Sequence, residues 1–255
     1  MSSKRDRPVT QDDLYRVPRD HVVDFVFDDA VARVFADMIR RSVPGYETVV
    51  PITGLIAARH VTAGSRCYDL GCSLGATSLA ILRRLERHDC ALVAVDNAPA
   101  MAERARELLR DDARASVVCA DVRDVVFERA AAVVLNYTLQ FLPPGDRLPL
   151  LRRIREGLLP GGVLIVSEKI RFDNGVEQAT AETLHHAFKR ANGYSDLEIA
   201  QKRTAIENVL ITDTLPEHEA RLRAAGFGAV TTWFRCLNWA SMIAWPAAPP
   251  HERDR

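Results

Sequence analysis

One stretch limits what this chain can fold into: Ser65-Arg66-Cys67-Tyr68-Asp69-Leu70-Gly71-Cys72-Ser73-Leu74-Gly75-Ala76-Thr77-Ser78-Leu79-Ala80-Ile81. A short apolar run ends in two spaced glycines, and an amphipathic helical pattern follows at once. That order reads as a buried parallel strand, a tight turn, and a helix whose N-terminus points at the turn. Gly71 lets the backbone turn sharply and lets a ligand come close to it. Gly75 removes a side chain where the helix start must pack against the strand. Free N–H groups at the helix start then face a crevice.

The spacing narrows the ligand. Dinucleotide enzymes carry G-x-G-x-x-G, whose second glycine admits a pyrophosphate. Here Cys72 and Ser73 fill the gap, so the pattern is Asp-x-Gly-x-x-x-Gly, and no Gly-Lys-Ser/Thr of a phosphate loop is present. The better fit is the loop of S-adenosylmethionine (SAM) enzymes, which holds an amino acid and a sulfonium rather than phosphates. The bland reading is a plain strand-to-helix turn of some α/β domain.

The rest of the chain supports an α/β fold. Strands are expected at 91–95, 116–120, 131–136 and 163–168, with helices over 99–109 and 147–158 between them. This alternation predicts a parallel sheet with helices on both faces. Helices over 28–41 and 48–60 precede the first strand. Leu159-Pro160-Gly161-Gly162 reads as a turn. A helical, polar segment near 173–213 interrupts the rhythm, and a helix over 216–225 and strands over 229–237 and 238–245 follow. The division expected is a mobile tail over 1–19, one domain over 20–245, and a second tail over 246–255.

Bulk properties exclude several classes. Lys plus Arg and Asp plus Glu are 34 each among 255 residues. A neutral chain argues against a broad nucleic-acid surface. Five scattered cysteines, at 67, 72, 90, 119 and 236, with no Cys-x-x-Cys, suggest buried, reduced thiols in a cytosolic protein. No secretory h-region and no bilayer-length apolar run are seen.

In an open α/β sheet, ligands sit beyond the carboxyl ends of the strands. Asp96 ends the second strand, where a carboxylate can accept both hydroxyls of a ribose; its bland reading is a solvated strand-end aspartate. Asn97 follows it and can touch the ribose or the adenine edge. Asp121 ends the third strand, where its side chain can read an adenine amino group and the Val122 amide a ring nitrogen, or it is a turn aspartate. Asn136 ends the fourth strand, beside the expected sulfonium, or forms a turn. His185-His186 invites a metal, but adjacent helical residues point about 100° apart and rarely share one ligand, so both are read as ordinary core or surface histidines. Arg152, Arg153 and Arg155 read as a solvated helix face. No nucleophile–base pair has local support.

Taken together, these segments resemble the carboxy-S-adenosyl-L-methionine synthases along nearly the whole chain after its N-terminal tail. The matching stretches are Arg41-Ser42-Val43-Pro44-Gly45-Tyr46, Tyr68 to Gly75, and Val134-Leu135-Asn136 with Thr138-Leu139-Gln140-Phe141-Leu142. The most specific is Phe188-Lys189-Arg190-Ala191-Asn192-Gly193-Tyr194-Ser195, continued by Gln201-Lys202-Arg203 and Glu207-Asn208-Val209. The resemblance implies a Rossmann-like SAM-methyltransferase fold with a mostly parallel, seven-stranded sheet and a helical insertion after strand five. It implies that SAM and prephenate become carboxy-SAM and phenylpyruvate, with no metal, and that the product serves a separate enzyme that carboxymethylates a tRNA wobble uridine. It implies that Tyr46, Gly71, Cys72, Ser73, Asp96, Asn97, Asp121, Val122 and Asn136 line the SAM site. Arg203 is implied to bind the new carboxylate, a task that suits a guanidinium. A cytoplasmic homodimer is expected, with no direct nucleic-acid or membrane contact.

The implied chemistry is sensible. Prephenate loses carbon dioxide and hydroxide as its ring becomes aromatic; the hydroxide removes a proton from the SAM methyl, and that carbon captures the carbon dioxide. Such a protein must hold both substrates close, exclude water and place a cation at the forming carboxylate. No catalytic base is then demanded of the chain. The competing readings are an ordinary SAM-dependent methyltransferase acting on a small molecule or RNA, and a non-catalytic SAM-binding protein.

Overall fold

A computed structural model describes residues 10–19 and 21–247. Its first helices are α1 (Asp29–Ser42) and α2 (Tyr46–His60). Asp28 caps α1 by accepting from the Val31 N–H, and Arg40 and Arg41 lie in the last turn, where cations suit the helix dipole. Strands β1 (Arg66–Leu70), β2 (Ala91–Asp96), β3 (Ala115–Cys119) and β4 (Ala130–Asn136) alternate with α3 (Ala76–Leu82) and α4 (Pro99–Leu109). Then come α5 (Pro144–Gly157), β5 (Leu158–Arg171), α6 (Gly175–Ala191), α7 (Asp196–Ile206), β6 (Asp213–Thr214) and α8 (Leu215–Ala224). The antiparallel pair β7 (Phe227–Cys236) and β8 (Trp239–Pro246) completes the described fold.

Seven strands run in the order β3-β2-β1-β4-β5-β8-β7, and the two-residue β6 pairs β5 beside that path. Strands β1 to β5 are mutually parallel, and β8 is antiparallel to β5. The order reverses direction between β1 and β4, so helices leave to opposite faces there and open a crevice at the carboxyl ends. Alternating side chains fill both faces. Tyr68, Leu70, Val133, Leu135, Leu164 and Val166 meet α5 and α8. Cys67, Leu92, Ala132, Val134 and Ile165 meet α2, α3 and α4.

Three expectations need adjusting. Leu159 to Gly162 is not a turn before the fifth strand but part of β5: Leu158 already pairs with Ala130, and the register shifts between Ala130 and Ala132. Gly161, at φ +79°, absorbs the extra residues as a bulge. At its other end β5 runs past Glu168, because β8 continues the ladder to the Lys169–Trp239 pair. Helix α5 starts at Pro144 rather than Arg147, since proline in a first turn gives up only an N–H that has no helical partner. Finally, the expected loose tail over 1–19 is tied down within 10–19: Asp12 and Tyr15 are buried, and the Arg19 N–H donates to Gln201 Oε1 at 2.7 Å. Residues 1–9 and 248–255, also placed in tails, lie outside the described residues.

The segment over 173–213 is helical, as expected. Asn174 caps α6, and Ser195 with Glu198 forms a reciprocal capping box on α7. The distinctive run Phe188 to Ser195 is therefore the end of α6, a turn at Gly193 (φ +86°), and the cap of α7. The N-terminal strap packs on this unit. Tyr15 and Phe25 join Val31, Val34 and Met38 of α1, Met101 of α4 and Ala205 of α7 in one apolar cluster.

Candidate functional site

A cavity of about 740 Å³ opens at the carboxyl ends of β1, β2, β4 and β5. Its floor is the glycine loop. Gly71 (φ +75°), Ser73 (φ +51°) and Gly75 (φ +86°) are all left-handed. The Gly71 and Cys72 N–H groups both donate to the Val95 carbonyl, which ties the loop to β2. A Cβ on Gly71 would stand 2.3 Å from Thr138 Oγ1, so glycine is required by space as well as by conformation. Beneath the loop, buried Asp69 accepts from Ser78 Oγ at 2.6 Å, and burial raises its pKa to about 6.

Asp96 is nine-tenths buried at the end of β2. Its two oxygens accept from the Ser73 N–H at 2.8 Å and the Ala98 N–H at 2.9 Å. Each oxygen keeps a further lone pair, enough for the two hydroxyls of a ribose. Burial raises its pKa, and the two N–H donors pull the other way. Asn97 is exposed at the rim. Asp121 takes part in a bidentate pair with Arg123, which also reaches Asp146. That guanidinium holds the Asp121 carboxyl below its usual range and occupies much of its accepting capacity. Val122 begins a short 3-10 turn with its side chain buried. Asn136 is fixed from both sides: it donates to Thr77 Oγ1 and accepts from Ser167 Oγ. Cys72 is buried and its thiol is pushed up by that burial. The Tyr46 phenol is pushed up to about 12 by burial, and its ring lies 6.1 Å from that of Tyr137.

Tyr46, Gly71, Cys72, Ser73, Asp96, Asn97, Asp121, Val122 and Asn136 thus all line one cavity. Arg203 does not: it is exposed on α7. Burial lowers the pKa values of Lys169, His186 and Lys189, and the Arg203 charge adds to that lowering.

The far end of the cavity holds three residues the sequence did not single out, Lys169, Tyr137 and Trp239, beside His185, Lys189 and Lys202, to which it gave no site role. Lys169 stands on β5, and His185 and Lys189 stand on α6. Lys202 reaches in from α7, and Tyr137 and Trp239 pack edge to face at 5.3 Å. Lys169 follows the expected end of strand five by one residue, so the strand-end rule, carried one position further, would have found it. Buried Glu168 accepts from the Leu139 and Gln140 N–H groups and so fixes the turn after Tyr137; burial raises its pKa to about 8. Lys202 donates to Ser42 Oγ at 3.0 Å and lies 3.5 Å from Asp12, which also accepts from the Tyr194 hydroxyl. Arg41 stacks on the Tyr194 ring at 3.9 Å.

His185 is a core residue, as read. Its Nε2 meets the Ser42 carbonyl at 2.8 Å, and burial lowers its pKa to about 3. Among the described residues, no three His, Cys, Asp or Glu side chains are grouped as a metal ion would need. The cysteines are free; Cys67, Cys72 and Cys90 are buried as expected, but Cys119 is exposed on the edge strand and Cys236 is half-buried. No described helix is long and apolar enough to cross a membrane.

The site can hold a nucleoside at one end and an anion at the other. Comparison with known proteins agrees with the first half of that statement and extends it. Residues 68–162 match the family model described as a methyltransferase domain. Among solved structures, an O-methyltransferase family protein from Burkholderia thailandensis aligns with a TM-score of 0.62 at 16% identity, covering 86% of this chain and 59% of that one. Human N-acetylserotonin methyltransferase, solved with SAM, gives 0.57 at 15%, covering 86% and 56%. These share the fold. Much nearer in sequence are the carboxy-S-adenosyl-L-methionine synthases of Geobacter metallireducens and Shewanella amazonensis. Both are 55% identical over 237 residues; the first alignment covers 91% of this chain and 97% of the relative, the second 92% and 98%. An alignment of that extent runs through both the glycine loop and the insertion, and the chain belongs to the carboxy-S-adenosyl-L-methionine synthase family.

Proposed function

We propose that the protein converts SAM and prephenate to carboxy-SAM and phenylpyruvate, and that the product supplies a separate enzyme which carboxymethylates a tRNA wobble uridine. The observation that carries this reading is one cavity with two unlike ends. A carboxylate for a ribose stands at Asp96, and lysines gather around Lys189 at the other. An ordinary methyltransferase needs the first end and has no use for the second.

The chain's residues divide the work. Asp96 and the glycine loop hold the nucleoside. Asn136, locked between Thr77 and Ser167, orients the sulfonium end. Tyr46, Tyr137 and Trp239 wall the cavity against water, so that carbon dioxide released there meets the methyl carbon before it escapes. The new carboxylate is assigned to Arg203. Because Arg203 is exposed, it reaches a ligand by a swing of its side chain or from a second copy of the chain, which accords with the homodimer we propose. We place the protein in the cytoplasm, with no direct contact with nucleic acid.

The test is mass spectrometry of small molecules after the protein meets SAM and prephenate. The expected product is a SAM species heavier by one carbon dioxide, formed together with phenylpyruvate. Unmodified SAM with prephenate untouched would reject the reading and turn the search to methyl acceptors. Arg203→Ala is expected to lose carboxy-SAM formation or retention while SAM still binds; unchanged turnover and product affinity would remove Arg203 from the site.

A further inference from the structure

The cavity carries more positive charge than it neutralises. Arg123 is matched by Asp121 and Asp146, Lys202 by Asp12, and Arg40 lies 4.0 Å from Glu47. Arg83 has no carboxylate at that distance among the described residues either, but it is exposed to water. Lys169 and Lys189 differ. Among the described residues, neither has a carboxylate within ion-pair distance. Glu182, whose charge reaches Lys169, stays beyond that distance and accepts from Gln178 at 2.7 Å. Both lysines line the cavity and are half-buried. Burial, and after it the charges of Lys202 and Lys169, hold Lys189 down to about 7. A sulfonium would add a further positive charge. Two unmatched cations in a partly dry site are costly unless a ligand brings the anions.

Their place in the sheet says which ligand. Asp96 ends β2, and Lys169 lies two residues before the end of β5, three strands away in the order β2-β1-β4-β5, which is about 14 Å at ordinary strand spacing. With a ribose on Asp96 and the sulfonium near Asn136 on β4, the lysines lie one strand beyond the nucleoside. Beside them stand the rings of Tyr137 and Trp239, with Tyr46 next to Tyr137. Resting on the function proposed above, we infer that Lys169 and Lys189 form a dicarboxylate-binding pair that takes the two carboxylates of a cyclic, dianionic co-substrate, with its ring against Tyr137 and Trp239. The pair selects dianions over monoanions, and the two carboxylates offset the two lysine charges.

The experiment uses the full chain loaded with S-adenosylhomocysteine, which lacks the reacting methyl, and titrates prephenate and the monoanion phenylpyruvate by calorimetry. The unaltered protein is expected to prefer the dianion. Lys169→Met and Lys189→Met are each expected to weaken prephenate about tenfold or more, the scale of one lost charge-assisted contact. They should erase the preference and leave SAM affinity within about twofold; Lys189→Arg should restore part of it. Retained SAM binding also shows that the variants fold. Unchanged prephenate affinity in both variants would overturn the pair. So would a tenfold loss of SAM affinity with prephenate unaffected, since the lysines would then hold the methionyl carboxylate. The two proposals fail separately. If lysine-dependent dianion binding is seen but SAM plus prephenate gives no carboxy-SAM, the reaction assigned above falls and the dicarboxylate site stands.

Discussion

The two ends of the cavity are built from different ranges of the sequence. At the nucleoside end, the supporting bonds are short in chain distance. Ser73 and Asp96 are 23 positions apart, and Asp121 and Arg123 are two apart. At the lysine end, Tyr194 reaches Asp12 across 182 positions, Lys202 reaches Asp12 across 190, and His185 reaches Ser42 across 143. A rigid local frame suits a feature carried by the fold itself. A frame assembled from distant segments can differ between families without disturbing the first. The shared fold at 15–16% identity and the distinct relatives at 55% fit that division.

The largest effect that tests this separation is expected at Gly71. Gly71→Ala puts a side chain at φ +75° and a Cβ against Thr138, and SAM affinity should fall about a hundredfold, as for a strained and sterically blocked backbone site. Calorimetry with SAM measures it; a normal affinity would mean that the loop is not the nucleoside floor. Next comes Asp96→Ala, which removes an acceptor from two backbone N–H groups as well as from the ribose. A loss of about 1–3 kcal/mol in SAM binding is expected, and unaltered affinity would reject the assignment. Asp12→Ala probes the other end. It leaves buried Lys202 and the Tyr194 hydroxyl without their acid, so the urea midpoint should drop by the equivalent of about 1–3 kcal/mol. SAM affinity should stay within about twofold; an equal loss in both would show that the two ends are one cooperative unit.

The smallest effect is a matter of pH. The fully buried His185 is held down to about 3 by burial, and next by Lys189, then Lys169 and His186. An unfolded histidine protonates near pH 6.5. The folded pKa is the lower one, so the stability is present above pH 6.5 and is lost as pH falls toward 3. Between about pH 7 and 5 the loss from this residue should be about 1–2 kcal/mol. Denaturation curves of His185→Gln should show a shallower acid dependence, and an identical slope would mean that His185 takes up its proton at the same pH folded and unfolded.

The same contrast explains what was legible beforehand. The glycine loop, Asp96, Asn97, Asp121, Val122 and Asn136 follow from strand ends and local spacing, and all reach the cavity. Strand boundaries erred where partners decide them: β5 is lengthened at one end by a glycine bulge and at the other by β8. The strap over residues 10–19 reads as polar and loose because its partners, Tyr194, Gln201 and Lys202, lie in α7 and just before it. Lys169 is within reach of the strand-end rule, but that rule does not show that α6 and α7 bring two more lysines to the same cavity. Local pattern carries no information about such meetings.

The strap also sets an order of events during synthesis. Asp12 leaves the ribosome long before Tyr194, 182 residues later. At ordinary translation rates the interval is roughly ten to forty seconds. Through that time the strap has neither Tyr194 nor Lys202 to dock on, while β1, β2, α3 and α4 are already available to pair and pack. A nascent chain of this kind builds its glycine-loop floor early and closes its lysine end last. Its vulnerable period, for proteases and for mispairing, is the wait of an N-terminal segment for a helix near the other end.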